Sequence, residues 1–261
     1  MKHSILRNAG TAAVLVIAAA AAWAQGVYWE STMTGTGMEP KASKMYYMPR
    51  MFKHVDVSTG EAMIVRLDKQ MMYRVDPKDK TYSEITFADM EAKMKKAGAT
   101  MDAKMEEMQK RLASLPPEQR KMIEDRMGGL AMGNMKDAKF DVTKTGEKKE
   151  VSGYGCTKYD VTRDGKEFMT MWVTKDVHDF DAMRKDFEEY GKMMSAMNEM
   201  MGKGMIAAMQ KIDGFPMQTE ISGMTTVVTK VERQSTPVSE FDVPAGYTKM
   251  KSTMFDTPDE K

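Results

Sequence analysis

The groups with the most chemical range in this chain are thioethers, since it carries 32 Met and only six Leu. Nine of the Met fall between Met90 and Met135 and eight between Met183 and Met209. Met193, Met194, Met197, Met200 and Met201 stand three and four residues apart, so a helix would bring their sulfurs together in pairs. Soft thioether sulfur favours Cu(I), and copper(I) is the one cofactor this pattern suggests. The imidazoles add little by position, because His54 and His178 both stand outside the Met clusters. Exposed sulfurs could also act as oxidant traps, since sulfoxide formation is reversible.

Two other uses of the same side chains need no chemistry. Met is a good helix former and can replace Leu as core filler, which is the plainest account of Met at helical spacing. Alternatively, a wall of flexible, polarisable Met remoulds around varied apolar partners. On that reading the binding surface comprises Met90, Met94, Met101, Met105, Met194, Met197, Met201 and Met205, with Trp29 and Trp172 from strand-like stretches.

Catalytic signatures are missing. The chain contains no G-x-S-x-G, H-E-x-x-H, phosphate-binding loop or C-x-x-C. Cys156 is the only thiol, and nothing in the sequence orients the imidazole of His178 toward it as a base. A non-enzymatic protein is expected. With 39 basic and 38 acidic side chains, the formal charge is +1, so no cationic excess exists to displace counterions from nucleic acid.

The elements that must carry these groups alternate between two periods. Val27 to Thr34, Lys44 to Met51, Glu61 to Leu67 and Met71 to Val75 read as strands. Asp76-Pro77-Lys78-Asp79 predicts a turn leading into Thr81 to Ile85. Thr86 with Asp89 predicts a helix cap, followed by Phe87, Met90, Met94, Met101, Met105, Met108 and Leu112 on one helical face. Gly98 is a candidate break in this helix. Pro116-Pro117 predicts its end and the start of a further helix to Met127. Strand signals return at Asp141 to Thr145, Lys149 to Ser152 and Tyr154 to Arg163, with Asp164-Gly165 a tight hairpin into Glu167 to Thr174. A second Met-rich helical stretch then precedes strands at Pro216 to Ile221 and Thr225 to Val231.

The first 24 residues read as an export signal. Lys2 and Arg7 precede an Ala-rich apolar run, and Ala22-Trp23-Ala24 supplies a cleavage pattern near Ala24–Gln25. That run is too short to span ~30 Å of hydrocarbon, and no second one follows, so no stable membrane anchor is expected. A periplasmic location follows. Residues 25–261 are then expected to form one domain, with helical insertions at about 86–135 and 178–212.

Several stretches together carry a family resemblance. They are Tyr46-Tyr47-Met48-Pro49, Ile64 to Lys69, Asp76 to Tyr82, Gly153 to Tyr159, Met171-Trp172-Val173 and Phe241-x-Val243-Pro244-x-Gly246-Tyr247. In that order they resemble the exported bacterial proteins grouped as domain of unknown function 4412. That group is in turn distantly similar to the outer-membrane lipoprotein carrier superfamily. The resemblance implies an α+β fold: a strongly curved antiparallel sheet, an incomplete barrel, with the Met-rich helices on its concave face. It also implies a carrier-like role for a hydrophobic small molecule, lipid, lipoprotein or peptide segment. Copper(I) binding or oxidant buffering is the alternative.

Overall fold

The computed structural model describes residues 25–116, 119, 138–193 and 203–254. The expected leader and the further helix expected after Pro116-Pro117, to Met127, lie outside the described residues, apart from Pro116 and Gln119. Twelve strands form one sheet: β1 (Gln25–Gly35), β2 (Met38–Met48), β3 (Met51–Asp56), β4 (Ala62–Arg66), β5 (Met71–Asp76), β6 (Thr81–Thr86), β7 (Phe140–Val151), β8 (Tyr154–Arg163), β9 (Lys166–Thr174), β10 (Phe215–Ile221), β11 (Met224–Ser235) and β12 (Thr248–Lys249). Their order is β12-β6-β5-β4-β3-β2-β1-β11-β10-β9-β8-β7. All neighbours are antiparallel except the short β12–β6 pair. The sheet is strongly curved and does not close, an incomplete barrel of the α+β class. Curvature brings the β7–β8 turn to β11, although β9 and β10 lie between: Ser152 Oγ donates to the Val228 carbonyl at 2.7 Å. Lys149 likewise reaches Gln218 Oε1 at 2.9 Å and caps the Trp172 ring at 4.1 Å.

Local chemistry accounts for most of the turns. Asp164 and Gly165 both take positive φ, 51° and 76°, as a two-residue hairpin requires. The Asp76 carboxylate accepts from Lys78 N at 2.9 Å and closes the Asx turn. Thr86 caps α1 (Phe87–Ala113), accepting from Asp89 N at 3.0 Å and donating to its carboxylate at 2.7 Å. Gly98 does not divide α1, which runs through it: one mid-helix Gly costs only about 1 kcal/mol relative to Ala.

One strand reading is corrected. Lys44 to Met51 is not a single strand, because Pro49-Arg50 is a two-residue turn between β2 and β3. Apolar alternation continues through it and hides the break. Pro49 has no N–H for a ladder, and Arg50 adopts φ 65°. Arg50 is held there from outside its own hairpin, by α2 (Phe180–Met193). Its backbone N–H donates to the Asp186 carboxylate at 2.6 Å, and its guanidinium forks onto Glu189 at 2.8 and 2.9 Å. Asp141 to Thr145 and Lys149 to Val151, in turn, belong to one long β7 with an irregular register between Lys144 and Lys148, and Ser152 lies in the turn after it.

The pairing register explains the main core. Val27, Tyr47, Phe52, Val65, Met72 and Ile85 lie opposite one another across β1 to β6, forming one buried apolar row. Phe87 and Met90 of α1 and Met183 of α2 pack on it. The third helix, α3 (Lys203–Gln210), joins the same face further along, packing Met205 and Ala208 against Tyr159, Val161 and Met171. The opposite face of β2 to β6 is covered by the C-terminal segment, which seats Phe241 among Met48, Met51, Ile64 and Val75. No helix of the described residues is long and apolar enough to cross a membrane.

Candidate functional site

A cavity of about 360 Å³ lies between the helical layer and the middle of the sheet. Its floor is built by alternation. Trp29 and Ser31 of β1 share a face with Val228 and Thr226 of β11, Thr219 of β10 and Met171 of β9. Phe180, Met183, Arg184 and Phe187 of α2 form its roof, and Met209 and Ile212 at the end of α3 form a wall. Phe215 meets Trp29 and Phe180 edge-on, at ring separations of 5.5 and 5.9 Å. Apolar walls with a few polar groups are what small apolar ligands need. Among the lining residues the only charged one is Arg184.

The roof is fixed by polar contacts outside the cavity. Besides the Arg50 contacts, Tyr47 OH donates to Asp186 at 2.9 Å, and burial together with that carboxylate pushes the phenol pKa up. Arg233 reaches Asp179, just before α2, at 2.7 Å. Phe187 stacks on Phe52 at 4.6 Å. These contacts add to the apolar stripe of Phe180, Met183 and Tyr190, which packs α2 on the main core.

The structure distributes the sequence-predicted residues over several places. Trp29 lines the cavity. Met90 is completely buried beneath α1, and Met94 packs partly buried beside it. Met205 is buried in the α3 cluster, and Trp172 is buried under the Lys149 ammonium. Met193 is half-buried against the main core. Met101 and Met105 belong to α1, though their side chains lie outside the description, as do Met194, Met197, Met200 and Met201 altogether. The cavity Met are instead Met171, Met183 and Met209. Met171 was legible as part of an alternating strand and of the Met171-Trp172-Val173 motif, and Met183 and Met209 only as the ends of the second Met-rich stretch.

Cys156 is buried, its Sγ 3.4 Å from the Tyr154 carbonyl, and burial pushes its pKa up, away from a thiolate. His178 is exposed in the β9–α2 loop. Among the described residues, no group of three or more His, Cys, Asp and Glu is placed to hold a metal. The register does, however, put His54 directly opposite Met45 on one side and Met63 on the other. Met63 is 40% exposed and Met45 half-buried. The separation of His54 from methionine is thus a feature of the linear chain alone.

No curated protein matches the chain in sequence. Among solved structures, it is similar to an uncharacterized conserved protein from Thermus thermophilus, at 8% identity and TM-score 0.42, over 86% of this chain and 90% of that one. PNGF-II aligns at 8% identity and TM-score 0.38, over 89% of this chain and 32% of that one. MucB, solved in complex with MucA(peri), aligns at 9% identity and TM-score 0.38, over 87% and 57%. TM-scores this low say nothing about ligand or partner. A family model fits the sequence from Asp89 onward, so the motifs at Tyr46, Ile64 and Asp76 lie before it. Because that model matches residues 89–247, more than half its length, the chain belongs to the family described as domain of unknown function (DUF4412).

Proposed function

We propose that the protein is a non-catalytic, exported binding or carrier-like protein whose cargo is an apolar molecule or chain segment. The observation that carries this reading is the cavity of about 360 Å³, walled by Trp29, Met171, Phe180, Met183 and Met209. Its volume falls in the range of small-ligand sites, and three Met in the wall allow it to adjust to the shape of its occupant. The amino-terminal Lys2, Arg7 and Ala-rich run, ending in Ala22-Trp23-Ala24, support export to the periplasm. The raised thiol pKa of Cys156 and the exposed loop position of His178 support a role without covalent chemistry.

Titrating the mature chain with N-phenyl-1-naphthylamine, a neutral dye that fluoresces in apolar sites, tests the reading. Saturable enhancement is expected. Thr226→Trp, which fills the floor of the cavity, should weaken it at least about tenfold. A dye signal that never saturates, or one indifferent to Thr226→Trp in a folded variant, would count against the cavity as the site.

The Met45–His54–Met63 row favours a second reading, a Cu(I) site with His54 and one or both thioethers as ligands. Side chains directly opposite on neighbouring strands have Cβ atoms about 5 Å apart, and the donors are soft and uncharged, as Cu(I) prefers. Anaerobic competition against a Cu(I) chelator should give a dissociation constant below about 1 μM, lost in His54→Ala. Undiminished affinity in His54→Ala removes the row as the site.

A further inference from the structure

We infer that the cavity's occupant is a single-chain amphiphile with an anionic head, its charge met by Arg184 and its chain lying over Trp29 and Met171. The inference rests on the apolar-ligand reading and adds the head group to it. Among the described residues of the lining, Arg184 is the only charged one, and no described carboxylate joins it there. Its Nε is buried without a hydrogen-bond partner among the described residues. The guanidinium's closest acid is Asp181, three residues earlier on α2, at 3.5 Å and with a carboxylate that is 81% exposed. Asp213, also nearby, is already bound to Lys175. The cation facing the cavity therefore keeps donors to spare.

A guanidinium presents its two terminal Nη–H groups as a planar fork, which matches the two oxygens of a carboxylate or phosphate. Because α2 is fastened by Tyr47 and Arg50, the helix that carries Arg184 is in place before any ligand arrives. The volume is near the lower end for ligand sites, which suits one alkyl chain better than two. Carboxylate and phosphate heads share this chemistry, and the choice between them belongs to the experiment.

The test displaces N-phenyl-1-naphthylamine with dodecanoate, dodecyl phosphate and 1-dodecanol, three ligands with the same chain, from wild type, Arg184→Met and Arg184→Lys. In wild type, at least one anion should compete about tenfold or more better than the alcohol. That advantage, taken as the ratio of anion to alcohol affinity within each protein, should shrink to about onefold in Arg184→Met and survive in part in Arg184→Lys. The stronger of the two anions identifies the head group. Equal competition by alcohol and both anions in wild type overturns the inference and leaves the apolar cavity standing. An anion advantage that persists in Arg184→Met also overturns it. Failure of the dye and all three ligands to bind overturns the apolar-ligand reading itself.

Discussion

Phe241→Ala should lower the unfolding free energy by about 3–5 kcal/mol, a large part of the roughly 5–15 kcal/mol that holds a typical protein folded. Phe241 is 0% exposed and sits in the cluster of Met48, Met51, Ala62, Ile64 and Val75, on the face covered by the C-terminal segment. Truncating it opens a cavity and loosens the segment that seals this face. Val243 and Tyr247 of the same segment also pack against this cluster, and polar contacts add to them. Arg66 is buried and donates to the Phe241 carbonyl at 3.3 Å and to Asp242 at 2.6 Å, while its other edge forks onto Asp68 at 2.8 and 2.7 Å. Lys53 reaches Glu240 at 2.6 Å, and Lys249 reaches Glu84 at 2.6 Å.

Urea unfolding followed by Trp fluorescence measures the effect, and a loss under about 1 kcal/mol would show that the segment contributes little to this face. The same cluster has a pH signature. Arg66 holds the Asp68 carboxyl below its ordinary pKa, so the folded state binds that proton more weakly than the unfolded chain. Its contribution is complete above the unfolded value of about 3.9 and is lost as pH falls through the lower folded value. Asp68→Asn should therefore reduce stability near neutrality and flatten the acid side of the stability profile. A variant with an unchanged acid limb would refute the assignment.

Gly214→Ala is expected to destabilise by roughly 2–5 kcal/mol, taking backbone strain and overpacking together. Gly214 links the end of α3 to β10 at φ 129°, a region L side chains rarely enter. An added Cβ would lie 2.4 Å from the Thr174 carbonyl and 2.8 Å from Val173 Cγ1, both on β9. Backbone cannot yield as a side-chain tip can, so β9 and β10 must separate or Ile212 must move out of the cavity wall. Dye binding should weaken with the fold. Gly98→Ala is the contrasting case: that helical position has nothing within 4 Å of a new Cβ, so the change should stabilise by about 0.5–1 kcal/mol. Equal melting shifts in the two variants would contradict the packing argument.

Much of the fold could be read from short stretches. Asp164-Gly165, the Thr86 cap and the Asp76 turn act within two or three residues, so their side chains specify the local backbone wherever the strands go. Where local signals mislead, a distant element is responsible. The Pro49-Arg50 turn is hidden by apolar residues on both sides and is fastened by Asp186 and Glu189, far along the chain. The methionine excess shows the same division. Helical spacing marks Met90, Met183, Met205 and Met209 alike, yet Met90 and Met205 fill cores while Met183 and Met209 also face a cavity.

By itself, then, the sequence determined most of the strand and helix types, most of their turns and the family's motifs, all of which depend on residues near one another. Tertiary structure alone decided which sulfurs meet empty space, that Arg184 lines the apolar cavity, and that His54 lies between Met45 and Met63. The physical reason is register. A strand's alternation sets only its two faces, whereas cross-strand neighbours and cavity walls arise from which strand lies beside it and at what offset. Here the pairing of β1 with β11, almost the whole chain apart, builds the floor of the site.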